Sequence, residues 1–210
     1  CFSDPRLQTN NKGPGEAALA ILSPKIFLKE EAGDIAVKGV GEIEVKADAS
    51  KKGGGGGKLT PTANDLGTPD PKSIVQLLGL EQLVKTNPNL VPGTMYNGKF
   101  DAWAKQVNLT PEQISTLLSN IFKNGSVQQL ISQVSSQPQI SGANLFDIAL
   151  KNYGYSQNDQ QFLVLNVARR SSSFFTLDNW SSVTKLTTSF ALWHTDARSS
   201  GKPQLTLRAK

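Results

Sequence analysis

The chain has 210 residues, 38% of them hydrophobic and 19% charged, with a net charge of +5. That suits one modest domain with an appendage, or two small units. A single cysteine (Cys1) and a single histidine (His194) exclude an internal disulfide and a self-contained zinc site, and no run of about 18 apolar residues offers a membrane-spanning helix.

Residues 1–16 are polar and contain Pro5, Gly13, Pro14 and Gly15, which reads as an extended end. Residues 17–22 suit a short helical turn before Pro24. From Ile26 to Ala47 the apolar pattern has period two. Ile35, Val37, Ile43, Val45 and Ala47 share one parity, and Lys38, Glu42, Glu44 and Lys46 the other. Gly39-Val40-Gly41 then supplies the turn of a short hairpin. A lone hairpin is marginal in water, so this arm needs a surface, either its own body or a neighbouring subunit. Gly53 to Gly57, fenced by Lys51, Lys52 and Lys58, cannot form a helix or strand interior and reads as a tether.

The body that follows carries helix signals in close succession. Asp70 is an N-cap and Pro71 a first helical residue, opening a helix to about Thr86. Phe100, Trp103 and Val107 recur at helical spacing. Thr110, Pro111 and Gln113 spell a capping box ahead of the stripe Ile114, Leu117, Leu118, Ile121 and Phe122. Asn124-Gly125 stops that helix, and Ser126 starts another with Val127, Leu130, Ile131 and Val134. A further helix fits Asn144 to Tyr153, closed by Gly154. Ser156 caps a segment with Phe162, Leu163, Leu165 and Val167, and Asp178 caps a last helix with Val183, Leu186, Phe190 and Trp193. Leu205-Thr206-Leu207 could add as a short strand. The expected fold is mainly α: a bundle of six or seven helices with an extended N-terminal arm carrying a short β-hairpin. Its divisions are an arm (1–50), a Gly-rich tether (51–69), a helical core (70–197) and a basic tail (198–210).

Charge is unevenly placed. Residues 1–65 hold nine basic and nine acidic side chains, whereas residues 160–210 hold seven basic (Arg169, Arg170, Lys185, Arg198, Lys202, Arg208, Lys210) and two acidic (Asp178, Asp196). The whole excess sits in the last quarter, with four of the five arginines. Arg presents a planar fork of donors that suits phosphate, so the asymmetry points to a polyanion. A solvated basic tail is the plainer alternative. Within this quarter Arg169-Arg170-Ser171-Ser172-Ser173 is a compact set of phosphate-contacting residue types, followed by Phe174, an aromatic face on which a base could stack. Arg198 and Lys202 complete the expected nucleic-acid-binding set.

Other chemistry finds little support. The glycine run lacks the G-x-x-x-x-G-K-[ST] ending, because Leu59 follows Lys58. Asp101, Glu112, Asp147 and Asp159 are scattered one per segment and read as solvated helix faces. The chain opens without Met or a charged-then-apolar leader, so Cys1 reads as a trimmed start or as the acylated first residue of a bacterial lipoprotein, with residues 1–16 as its spacer.

Phe100-Asp101-Ala102-Trp103, followed by an amphipathic helix over 110–123 ending in Asn124-Gly125-Ser126, resembles the middle of coat proteins of flexible filamentous plant RNA viruses. The plan of mobile arm, helical core and C-terminal extension is similar too. The likeness covers about 27 residues, and the helix between its two motifs is shorter here; no family site residue maps onto this chain. It implies a subunit that polymerises around single-stranded RNA, its arm bridging neighbours.

The sequence thus leads to a non-enzymatic coat or nucleocapsid subunit without cofactor, metal or small-molecule substrate. Its expected partners are copies of itself, through the N-terminal arm, and the backbone of single-stranded RNA, in a virion or host cytoplasm. The alternative is a Cys1-anchored extracytoplasmic interaction protein of a bacterial envelope complex, for which alone a membrane is expected.

Overall fold

The computed structural model describes residues 14–29, 34–48, 57–59, 70–96, 98–166, 169–193 and 204–210. The elements in chain order are α1 (Pro14–Leu22), β1 (Ile26–Leu28), β2 (Ile35–Val37), β3 (Gly41–Asp48), β4 (Gly57–Leu59), α2 (Pro71–Leu77), α3 (Glu81–Thr86), β5 (Met95–Tyr96), α4 (Phe100–Gln106), α5 (Pro111–Ile121), α6 (Gln128–Ser135), α7 (Gly142–Gln157), β6 (Gln161–Asn166), β7 (Ser171–Thr176), β8 (Leu186–Trp193) and β9 (Gln204–Ala209). One sheet has the order β1-β2-β3-β6-β7 and a second the order β4-β9-β8-β5. The fold is α/β, which overturns the expected mainly α bundle with an extended arm.

The chain divides into two compact units. The first comprises Cys1–Lys58, Gly154–Thr187 and Leu207–Lys210. Its frame is the five-stranded sheet. The hairpin of β2 and β3 forms as its period-two pattern requires, with Gly39 in the turn and Gly41 at the start of β3 both at positive φ. It finds its surface within the chain, because β3 pairs in parallel with β6, Glu44 opposite Phe162 and Asp48 opposite Asn166. Ile35, Ile43 and Val45 form a buried cluster against which Leu19, Leu163 and Leu165 pack. The other parity also turns inward at β3. Glu44, of the charged parity, is buried and ion-paired with Lys46. Beyond it on that face lie Phe162 and Phe175, stacked at 5.1 Å and 10°.

The segments 161–166 and 186–193, read as helical, are strands for an identifiable reason. Phe162, Val164 and Asn166 are buried on one face of β6 while Leu163 and Leu165 are half-buried on the other. A short apolar run of this kind suits a strand covered on both sides, and it imitates a helix stripe when sampled at three- and four-residue steps. Phe190 and Trp193 are core residues as the stripe implied, but they belong to β8. The expected strand at Leu205–Leu207 lies within β9.

The second unit comprises Leu59–Tyr153 and Thr188–Thr206. Here the helix signals hold. Asp70 accepts from the N–H groups of Lys72 and Ser73. Thr110 and Gln113 form the reciprocal capping box, and Ile114, Leu117, Leu118, Ile121 and Phe122 are all buried. The helix expected to run to Thr86 is divided at Gly79, whose φ is +66°. Phe100, Trp103 and Trp193 pack with ring centroids 5.9 to 6.5 Å apart. The two indoles spend their N–H groups on carbonyls, Trp103 on Leu90 at 3.0 Å and Trp193 on Gly93 at 2.8 Å.

Candidate nucleic-acid interface

Arg169 and Arg170 occupy the turn that joins β6 to β7 in the first unit. The two strands are antiparallel, with Asn166 opposite Ser171 and Gln161 opposite Thr176. Both arginines are exposed, and neither guanidinium forms an ion pair among the described residues. Arg170 has φ +51°. That left-handed conformation costs an L-residue with a β-carbon roughly 1–2 kcal/mol, and glycine or asparagine fills it more readily.

Asn166 organises this end of the unit. Its side chain is buried. Its Oδ1 accepts the Arg169 N–H at 3.0 Å, and its Nδ2 donates to the Ala209 carbonyl at 3.0 Å. A second tie runs from Ser173 Oγ to the Lys185 carbonyl at 3.0 Å, and the Lys210 N–H donates to that same carbonyl at 2.8 Å. These short links gather Arg169, Arg170, Lys185, Arg208 and Lys210 into one neighbourhood. Lys185 and Lys210 are exposed, and among the described residues neither forms an ion pair. Asp178 is the one acidic residue between 160 and 193, and it lies at the other end of β7; on the neighbouring strand β3, Asp48 stands opposite Asn166.

The pleat separates the expected site residues. Ser172 and Phe174 are exposed, Phe174 at 47%, on the face of β7 that also carries Leu163 and Leu165 across the pair. Ser173 faces inward, with its hydroxyl spent on Lys185, and Ser171 Oγ is buried without a hydrogen-bond partner. Of the three serines only Ser172 presents its side chain to a ligand, so the expected hydroxyl run is reduced to one. Arg198, Lys202 and Cys1 lie outside the described residues. Lys185, Lys210 and Asn166 were not singled out from the sequence. The signal for Lys185 and Lys210 was the C-terminal charge excess; the tie through Asn166 has no sequence signature.

The second unit offers a groove of about 560 Å³ between α5 and α6, lined by Ser115, Thr116, Ser119, Ser132, Ser135 and Ser136 among others. Ser135 and Ser136 donate to carbonyls of their own helix, at 2.8 and 3.0 Å. No three His, Cys, Asp or Glu side chains gather as metal ligands would among the described residues. No helix among them is long and apolar enough to cross a membrane.

Comparison with protein-family models, with curated proteins and with solved structures finds no match to this chain.

Proposed function

We propose that this chain is a non-enzymatic binding protein that engages the backbone of single-stranded nucleic acid, as a subunit of an assembly, through the β6–β7 turn and the cations gathered beside it. The observation that carries the reading is Arg170. It sits at the turn in a conformation that favours glycine or asparagine, and its guanidinium is exposed with no ion pair among the described residues. Backbone strain at a charged side chain that has no ion pair among the described residues is accounted for by what that side chain meets outside the chain.

Arg169, Lys185 and Lys210, all exposed, extend the cationic surface to a size suited to several phosphates rather than one. Phe174 supplies an exposed aromatic face about four residues along the strand, roughly 13 Å from Arg170 at the usual rise, where a base can stack. The helical core implied by the likeness to filamentous coat proteins is not the fold this chain adopts, so the reading rests on the cationic turn alone.

The test is the binding of a labelled single-stranded RNA at several salt concentrations. Arg169→Ala with Arg170→Ala should weaken association and lower the salt slope by about 0.7 for each phosphate no longer neutralised. The loss should be alike for RNAs of different sequence, since backbone contacts carry no base information. An unchanged affinity and slope would overturn the reading.

A further inference from the structure

The strand β7 closes one side of the five-stranded sheet, and among the described residues nothing pairs with its outer edge. The direction of its backbone groups follows from the register. The Leu177 N–H donates to the Gln160 carbonyl at 3.1 Å, one step beyond the pair Gln161–Thr176. Hydrogen-bonded and non-hydrogen-bonded pairs alternate in an antiparallel ladder. Ser171, Ser173 and Phe175 therefore spend their backbone groups on β6, while Ser172, Phe174 and Thr176 aim theirs at the open edge. Thr176 is already satisfied: its N–H donates to Asn179 Oδ1 at 2.7 Å and its carbonyl accepts the Asn179 N–H at 3.2 Å. The open edge thus presents two donors and two acceptors, those of Ser172 and Phe174.

Edges of this length are ordinarily blunted by brevity, charge, proline or a bulge. The other sheet edges are short: β1 and β4 have three residues each and β5 two. The strand β1 is also flanked by Lys25 and Lys29. By contrast β7 reads SSSFFT, six residues with no charge, no proline and no register shift against β6. Its exposed large side chain is Phe174.

We infer that β7 is a self-association edge, at which two copies of this chain pair antiparallel about a two-fold axis at Ser173. The occupant follows from the groups on offer. Placing Ser172 opposite Phe174 of the second copy satisfies all four open donors and acceptors reciprocally. The register centred on Phe174 would instead require Thr176, whose groups are taken. In the Ser173 register the two Phe174 rings are diagonal neighbours on one face, within reach of each other. Antiparallel pairing also separates the cationic turns. Each Arg170 lies opposite Thr176 of the mate, so the two Arg170 positions stand about 20 Å apart, six residues at the strand rise. A parallel arrangement would bring like charges together. The result is one continuous ten-stranded sheet, with a cationic turn at either end of the new seam.

The experiment uses the full chain after nuclease treatment. Sedimentation equilibrium should show a dimer that grows with concentration. Phe174→Lys, which places a charge on an exposed edge position, should return the chain to a monomer while its circular dichroism and thermal midpoint stay those of the parent. Arg169→Ala with Arg170→Ala should leave the dimer intact, which separates this interface from nucleic-acid binding. In a Cys1→Ser background, chains carrying Ser172→Cys mixed with chains carrying Phe174→Cys should form a mixed disulfide on mild oxidation. Chains carrying Ser172→Cys mixed with chains carrying Thr176→Cys should not. A monomer at all concentrations, a dimer indifferent to Phe174→Lys, a dimer lost with the nucleic acid, or crosslinking in the second register would each overturn the inference.

Discussion

Asn166 and Ala209, 43 positions apart in the chain, are joined by a 3.0 Å hydrogen bond from the asparagine side-chain amide to the alanine carbonyl. The other end of the same amide holds the Arg169 N–H. A neutral, buried side chain thereby holds the β6–β7 turn and the last residues of β9 together.

Asn166→Ala should therefore cost about 1–3 kcal/mol, since a buried carbonyl loses its donor. It should also weaken RNA binding although no charge is removed. Urea unfolding gives the first quantity and RNA titration the second. Unchanged binding in a folded variant would mean that the cations act without this tie.

Arg170→Gly should move stability and binding in opposite directions. Relief of the left-handed arginine should raise stability by up to about 1–2 kcal/mol, less the entropy that glycine adds to the unfolded chain. RNA affinity should fall. A variant that is both less stable and equally tight would refute the role given to this residue.

Gly154 lies inside α7, where a β-carbon would stand 2.5 Å from the Asp159 carbonyl oxygen and 2.7 Å from Leu177. Gly154→Ala should destabilise by about 1–3 kcal/mol, the usual scale of overpacking, against the gain alanine normally brings to a helix. Chemical denaturation decides the sign.

Leu118 is fully buried on the best-capped helix. Leu118→Ala should cost about 2–5 kcal/mol, measured by the same method. A change within about 0.5 kcal/mol would contradict the burial.

The carboxyl of Asp101 is held below the usual aspartate range, first by its hydrogen bond with Lys105 at 2.7 Å and then by the Ile140 N–H at 2.9 Å. Because the folded value is the lower one, the carboxylate stabilises the fold above the unfolded aspartate range. That contribution fades as pH falls through the lowered value. Asp101→Asn should flatten the acid limb of a stability-against-pH curve and leave the alkaline limb alone.

Local signals were legible wherever the chain speaks for itself within a few residues. The caps at Asp70 and Thr110, the stripe from Ile114 to Phe122 and the hairpin parity from Ile35 to Val45 all appear as written. What was not legible is long-range. Pairing of β3 with β6 makes a two-sided core strand of residues 161–166, whose apolar run fits either period. The same ambiguity hid β8, where Leu186, Phe190 and Trp193 fall at helical steps by coincidence of spacing. Arg169 and Arg170 could be named from composition, yet their place at a turn could not. Nor could the inward rotation of Ser173, which depends on the strand that helix reasoning missed.

The parallel pairing of β3 with β6 also sets a schedule. Glu44 faces Phe162, so when β3 leaves the ribosome its partner is still 118 residues from being made. At a synthesis rate of about 5–20 residues per second that is a wait of roughly 6 to 24 seconds. Through that interval the β2–β3 hairpin has one side of β3 uncovered, with Ile43 and Val45 awaiting Leu163 and Leu165. Transcripts truncated before residue 161 would release chains with that edge permanently bare. Such fragments should be the ones that chaperones retain and that aggregate when chaperones are scarce, while the helices between residues 70 and 153 can form as they emerge.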